Sequence, residues 1–153
     1  MRYAMWLASW LLAAASHADG LPDPNRTPGA LNPAVTQKNI KTTICAKGWV
    51  KSVRPPASYT AALKEQQIKA YGYADADPKH YEEDHFIPME LGGDARDPKN
   101  LWPQPLTGEW TAKEKNKLEG VLNRQVCARQ LTLEAAQNEI RTQWIEAYKK
   151  HRL

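Results

Sequence analysis

Residues 81–105, YEEDHFIPMELGGDARDPKNLWPQP, constrain this chain more than any other stretch. Two extended runs, HFIPMEL and NLWPQP, flank a segment rich in turn formers. Gly92-Gly93 tolerates the positive φ that a sharp reversal needs, and Asp97-Pro98-Lys99-Asn100 reads as a second turn. Pro88 interrupts the first run, because proline donates no ladder hydrogen bond. Thr111-Ala112-Lys113-Glu114 then matches a capping box, which opens a helix running to about Ala128. The order is strand, long turn, strand, helix, and it predicts an α+β fold built on a hairpin and a helix.

The flanking segments fill in the rest. TTICAKGWV, residues 42–50, is β-branched and apolar and predicts a short strand, stopped by the prolines of VRPP. Ser58 is the expected N-cap of a helix to Tyr71, with Leu63 and Ala70 on one side and Gly72 ending it. Thr132 caps a last helix to about Lys149. Its Leu133, Ala136, Ile140, Trp144, Ala147 and Tyr148 recur at helical spacing and predict core, as do Trp49 and Trp102. Residues 19–41 carry Pro22, Pro24, Pro28 and Pro33 and predict an extended, flexible leader.

The first 18 residues have the layout of a secretory signal peptide. Arg2 precedes an apolar run from Ala4 to Ala15, and Ser16 and Ala18 sit at the small-residue positions of a cleavage site. The run is too short to span a bilayer, which takes about 20 residues. The expected location is therefore secreted or periplasmic, with no stable membrane anchoring after removal of the signal. Loss of Arg2 leaves a mildly basic chain, starting from a formal net charge of +4. That balance suits a polyanionic partner without demonstrating one. Cys45 and Cys127 form an even pair in an exported chain and predict a disulfide. It closes a loop of about 80 residues, for which loop entropy gives on the order of 4 kcal/mol. A metal site on these two cysteines is disfavoured, since the CxxC spacing is missing.

Asp84-His85, Gly92-Gly93, Asn100-Leu101 and the capped helix, in that order, resemble the His-Asn-His (HNH) endonucleases of the ββα-metal fold. The resemblance covers about residues 81–123 within a domain of 42–153. The longer string EEDHFIPMELGG, DPKNLWPQP and KNKLE, with TIC before it and VC after it, is similar to a subfamily of small exported HNH proteins. It implies a ββα-metal core flanked by helices and carrying one disulfide. The activity implied is metal-dependent hydrolysis of DNA, with RNA as a further substrate and little sequence preference.

The chemistry accounts for the residue types. A neutral imidazole is a competent base near pH 7, and the resemblance gives that role to His85. A divalent cation stabilises phosphoryl charge, and Asp84 offers it a hard oxygen ligand. Magnesium is the default ion; manganese, nickel and zinc are also compatible with such ligands. Asn100 holds the His85 ring or the intervening loop. The third family position lies on the helix and matches Asn116, with Glu119 the second choice and Glu109 the third. Adjacent strand residues point to opposite faces, so a local irregularity must bring Asp84 and His85 together.

Ala112, Lys115, Asn116, Glu119 and Asn123 share one helix face, so Lys115 and Asn116 are expected to point into the site. Leu118, Val121, Leu122 and Val126 form a separate apolar face. Lys99, Lys113, Lys115, Lys117 and Arg124 are candidates for a phosphate track; a solvated face is the bland reading of the same charges. Glu82 and Glu83 read as solvent-facing acids, and Asp94 and Asp97 as turn residues. Two rival functions share the scaffold. One is a non-catalytic exported module binding nucleic acid or the envelope. The other is an antibacterial nuclease toxin, which implies an immunity protein as partner.

Overall fold

A computed structural model describes residues 20–153, so the signal-peptide reading lies outside the described residues. The elements run α1 (Trp49–Val53), α2 (Ala57–Tyr71), β1 (Tyr81–His85), β2 (Leu101–Pro105), α3 (Ala112–Cys127) and α4 (Leu133–Lys150). The fold is α+β, with a two-stranded antiparallel sheet. β1 and β2 pair Tyr81 with Pro105, Asp84 with Trp102 and His85 with Leu101. None of the described helices is long and apolar enough to cross a membrane.

The expected order of strand, turn, strand and capped helix is present. Thr111 and Glu114 form the full capping box of α3. Thr132 accepts from Ala135 N and caps α4. α3 buries Leu118, Leu122 and Val126, and α4 buries Ala136, Ile140 and Trp144, all with 0% exposure. With Trp102, also fully buried, these side chains form one core behind the hairpin. α4 departs from regular helix at Gln143.

Three expectations about element boundaries and types change. Residues 42–50 form no strand. Ile40–Thr42 is a 3-10 turn, Cys45 N bonds back to Ile40 O, and Gly48 enters α1 with φ 85°. The β-branched residues here have no strand to pair with, and the disulfide instead fixes Cys45 to the end of α3. The Cys45–Cys127 bond itself is present and closes a sequence separation of 82. Second, β1 ends at His85, and the expected run beyond it folds into the 3-10 turn Met89–Leu91 after Pro88. Third, α2 starts at Ala57, with Pro56 in the cap position and no side-chain cap, so Ser58 lies inside the first turn. Gly72 ends α2 at φ 69°, as expected.

The proline-rich segment is irregular but packed, contrary to a flexible leader. Thr27 is fully buried; it hydrogen-bonds the Tyr71 hydroxyl at 2.7 Å and donates to Leu101 O at 3.1 Å. Leu31 bridges Gly93, Asn32 N donates to Gly92 O, and Asp94 N donates to Ala30 O. Trp144 Nε1 donates to Gly20 O at 2.8 Å. Backbone groups in a proline-rich stretch need partners when buried, and the hairpin loop and α4 supply them.

Candidate active site

The loop between β1 and β2 is closed by one side chain. Asn100 Nδ2 donates to Ile87 O at 2.9 Å and Asp94 O at 2.8 Å, while its Oδ1 accepts from Ile87 N at 2.9 Å. Asn100 is fully buried and sits at the end of the Pro98–Asn100 3-10 turn, one residue before β2. It therefore holds the loop and not the His85 ring. Gly92 takes φ 79°, and a Cβ on Gly93 would lie 1.8 Å from Ile87 O and 2.7 Å from Asn100 Nδ2. The double glycine serves a turn and a close backbone approach, respectively. Asp94 and Asp97 accept from nearby backbone amides, which is the turn role expected of them.

This loop orients His85. The imidazole is buried and its Nε2 lies 3.1 Å from Ala95 O. A carbonyl only accepts, so Nε2 carries the proton and Nδ1 keeps the lone pair. Burial pushes the His85 pKa below its ordinary value, against the Ala95 carbonyl and the Asp84 charge. The imidazole is therefore neutral at pH 7.

Asp84 points toward α3. Its Oδ2 accepts from Lys115 Nζ at 2.7 Å, and the same ammonium donates to His85 O at 2.8 Å and to Glu119 Oε1. Lys115 is completely buried. Burial alone pushes its pKa down, but Asp84 and Glu119 together reverse this and the net shift is upward. Burial likewise raises Glu119 against the attraction of Lys115. The expectation that Lys115 binds substrate is corrected: all three of its donor hydrogens are engaged inside the protein. It fixes the Asp84 carboxylate and the backbone of His85 at once, which is how neighbouring strand residues come to share a site.

Asp84, His85, Asn116 and Glu119 line one polar cleft of ≈ 160 Å³, together with Arg54 and Glu83. Asn116 is exposed there, and Asp84 Oδ1 has no partner among the described residues. No group of three or more His, Cys, Asp or Glu side chains is preformed for a metal among the described residues. Asp84 and Asn116 each bring a side-chain oxygen to the lining of this cleft, and a cation that keeps most of its water needs only one or two protein oxygens. Glu109 is not among the residues lining the cleft.

The basic residues expected on a phosphate track do not converge. Lys99, Lys113, Lys117 and Arg124 are exposed, and none lines the cleft. Lys117 lies 6.0 Å over the Tyr148 ring and 4.0 Å from Glu114. The cation that reaches the cleft is Arg54, which the sequence reading missed. It follows α1, precedes Pro55-Pro56, and forms no ion pair among the described residues. The signal for it was indirect: an arginine tethered by Cys45 and stiffened by two prolines. Glu83, expected in solvent, has both carboxyl oxygens buried without partners among the described residues, and burial raises its pKa to about 8.

The chain matches no protein-family model, no curated protein and no solved structure.

Proposed function

We propose that this protein is an exported, metal-dependent endonuclease that hydrolyses phosphodiester bonds of DNA, and of RNA, with little sequence preference. The observation that carries the reading is the cleft itself. A neutral imidazole with its Nε2 proton engaged by Ala95 O shares the cleft with two residues that carry hard oxygens, Asp84 and Asn116, and with Arg54, which forms no ion pair among the described residues. His85 Nδ1 takes a proton from water, and the hydroxide attacks phosphorus in line. Arg54 contacts a non-bridging phosphate oxygen and offsets the charge that builds there. The 3′-oxygen leaves and takes its proton from solvent, so the products carry a 5′-phosphate and a 3′-hydroxyl. A divalent cation on Asp84 and Asn116, magnesium first among the candidates, neutralises phosphoryl charge when bound. The disulfide supports export to an oxidising compartment, secreted or periplasmic.

Supercoiled plasmid nicked by the purified protein with magnesium tests the proposal. Nicking must disappear with EDTA and in His85→Ala. Plasmid binding without nicking under magnesium, manganese, nickel and zinc overturns the enzyme in favour of a binding module. Nicking that survives EDTA removes the metal.

A further inference from the structure

The catalytic cleft does not stand alone. A wider groove of ≈ 430 Å³ opens between α2 and β1. Its volume lies in the range of about 300–1,000 Å³ that small-molecule sites occupy. Glu82 and Glu83 line both spaces, so the groove begins where the cleft ends. Its chemistry differs from that of the cleft. Ala57, Ala61, Tyr81 and Leu106 give it an apolar wall, and Leu106 is 46% exposed, a rare large apolar side chain on this surface. Its lysine, Lys64, donates one of its three ammonium hydrogens to Tyr81 O at 2.9 Å, at the edge of that wall. At the junction, Glu83 presents two buried carboxyl oxygens that no group of the described protein satisfies. A buried acceptor without a donor is costly unless a ligand or water supplies one.

We propose that this groove is a nucleoside subsite, holding the base and sugar next to the phosphate in the cleft, with Glu83 accepting from an amino group of the base or a hydroxyl of the sugar. The inference rests on the endonuclease reading for the neighbouring phosphate. The apolar wall takes the flat, uncharged part of a nucleotide, while Arg54 takes its charged part. Base contacts of this kind are tolerant of sequence, because every base has an apolar face.

The test is binding of the dinucleoside monophosphate d(ApC), whose bases both carry amino groups, followed by amide NMR shifts in EDTA. The expected shifts fall at Ala61, Lys64 and Glu83 as well as at Arg54 and Asn116. Ala61→Trp fills the groove from an exposed position on α2. It is expected to remove the groove shifts and weaken binding about tenfold, the lower end of a lost base contact. Glu83→Leu is expected to weaken binding with the fold intact by circular dichroism. With metal, Ala61→Trp lowers the kcat/KM ratio of oligonucleotide over bis(4-nitrophenyl) phosphate, which has no nucleoside. Shifts confined to Arg54 and Asn116 overturn the subsite and leave the endonuclease standing. Shifts confined to the groove keep the subsite and sink the endonuclease. Shifts nowhere, or unchanged affinity in both variants, overturn the subsite.

Discussion

Lys115 Nζ lies 2.7 Å from Asp84 Oδ2 at a point with no solvent exposure. This contact couples α3 to the last two residues of β1, because the same nitrogen also holds His85 O. A buried charge of this kind is retained only with full pairing. Here Asp84, Glu119 and a carbonyl supply it.

Replacing Lys115 with Met should therefore cost about 3–5 kcal/mol, since Asp84 and Glu119 are left buried and facing each other. Urea denaturation reads the loss. Adding Glu119→Leu should restore part of it. A Lys115→Met protein as stable as the parent would mean that the ammonium is not the organising charge.

The pH profile of hydrolysis tests His85. Its pKa is depressed by burial, so the imidazole stays neutral and able to accept a proton below the ordinary value of about 6.5. The acid limb of kcat/KM should fall below that value at saturating metal. A limb above about 7 would exclude His85, in this setting, as the base.

Glu83 makes stability depend on pH. Its folded pKa, raised to about 8 by burial, exceeds the unfolded value of about 4.3. The folded state therefore binds more protons between those values, and stability present at low pH is lost as pH rises through the window. Thermal melts of Glu83→Gln from pH 5 to pH 9 should show a flatter decline than the parent. Parallel declines would place the titration on other acids of the cleft.

Gly93→Ala should destabilise by more than about 2 kcal/mol, because its Cβ would meet Ile87 O at 1.8 Å. Gly72→Ala is the control. It has positive φ but nothing within 4 Å, so it should cost only about 1 kcal/mol. Chemical denaturation of both proteins separates steric clash from backbone strain, and equal losses would refute the distinction.

Reduction of Cys45–Cys127 should lower stability by on the order of 4 kcal/mol, from the loop it closes. Hydrogen exchange should accelerate first at Ser52 and Arg54, whose amides bond within α1. Slow exchange there after reduction would show that α1 holds its place without the bond.

Local rules made the hairpin-helix order, the caps at Thr111 and Thr132, the Gly72 stop, the turn role of Asp94 and the Cys45–Cys127 pair legible in the sequence. Each depends on a few neighbouring residues or on cysteine parity. The loop-holding role of Asn100 was half legible: a ring or a loop could take its bonds, and only the folded turn selects the loop. What the sequence could not decide is where long side chains end. Lys115 and Lys117 are two residues apart on α3, yet one is sealed between carboxylates and the other covers Tyr148. Arg54 reaches the cleft from about 30 residues away in the chain because a disulfide and two prolines carry it there. Charge and periodicity describe a residue's own segment. Burial and pairing are properties of the surfaces that meet it, and those exist only after the chain has packed.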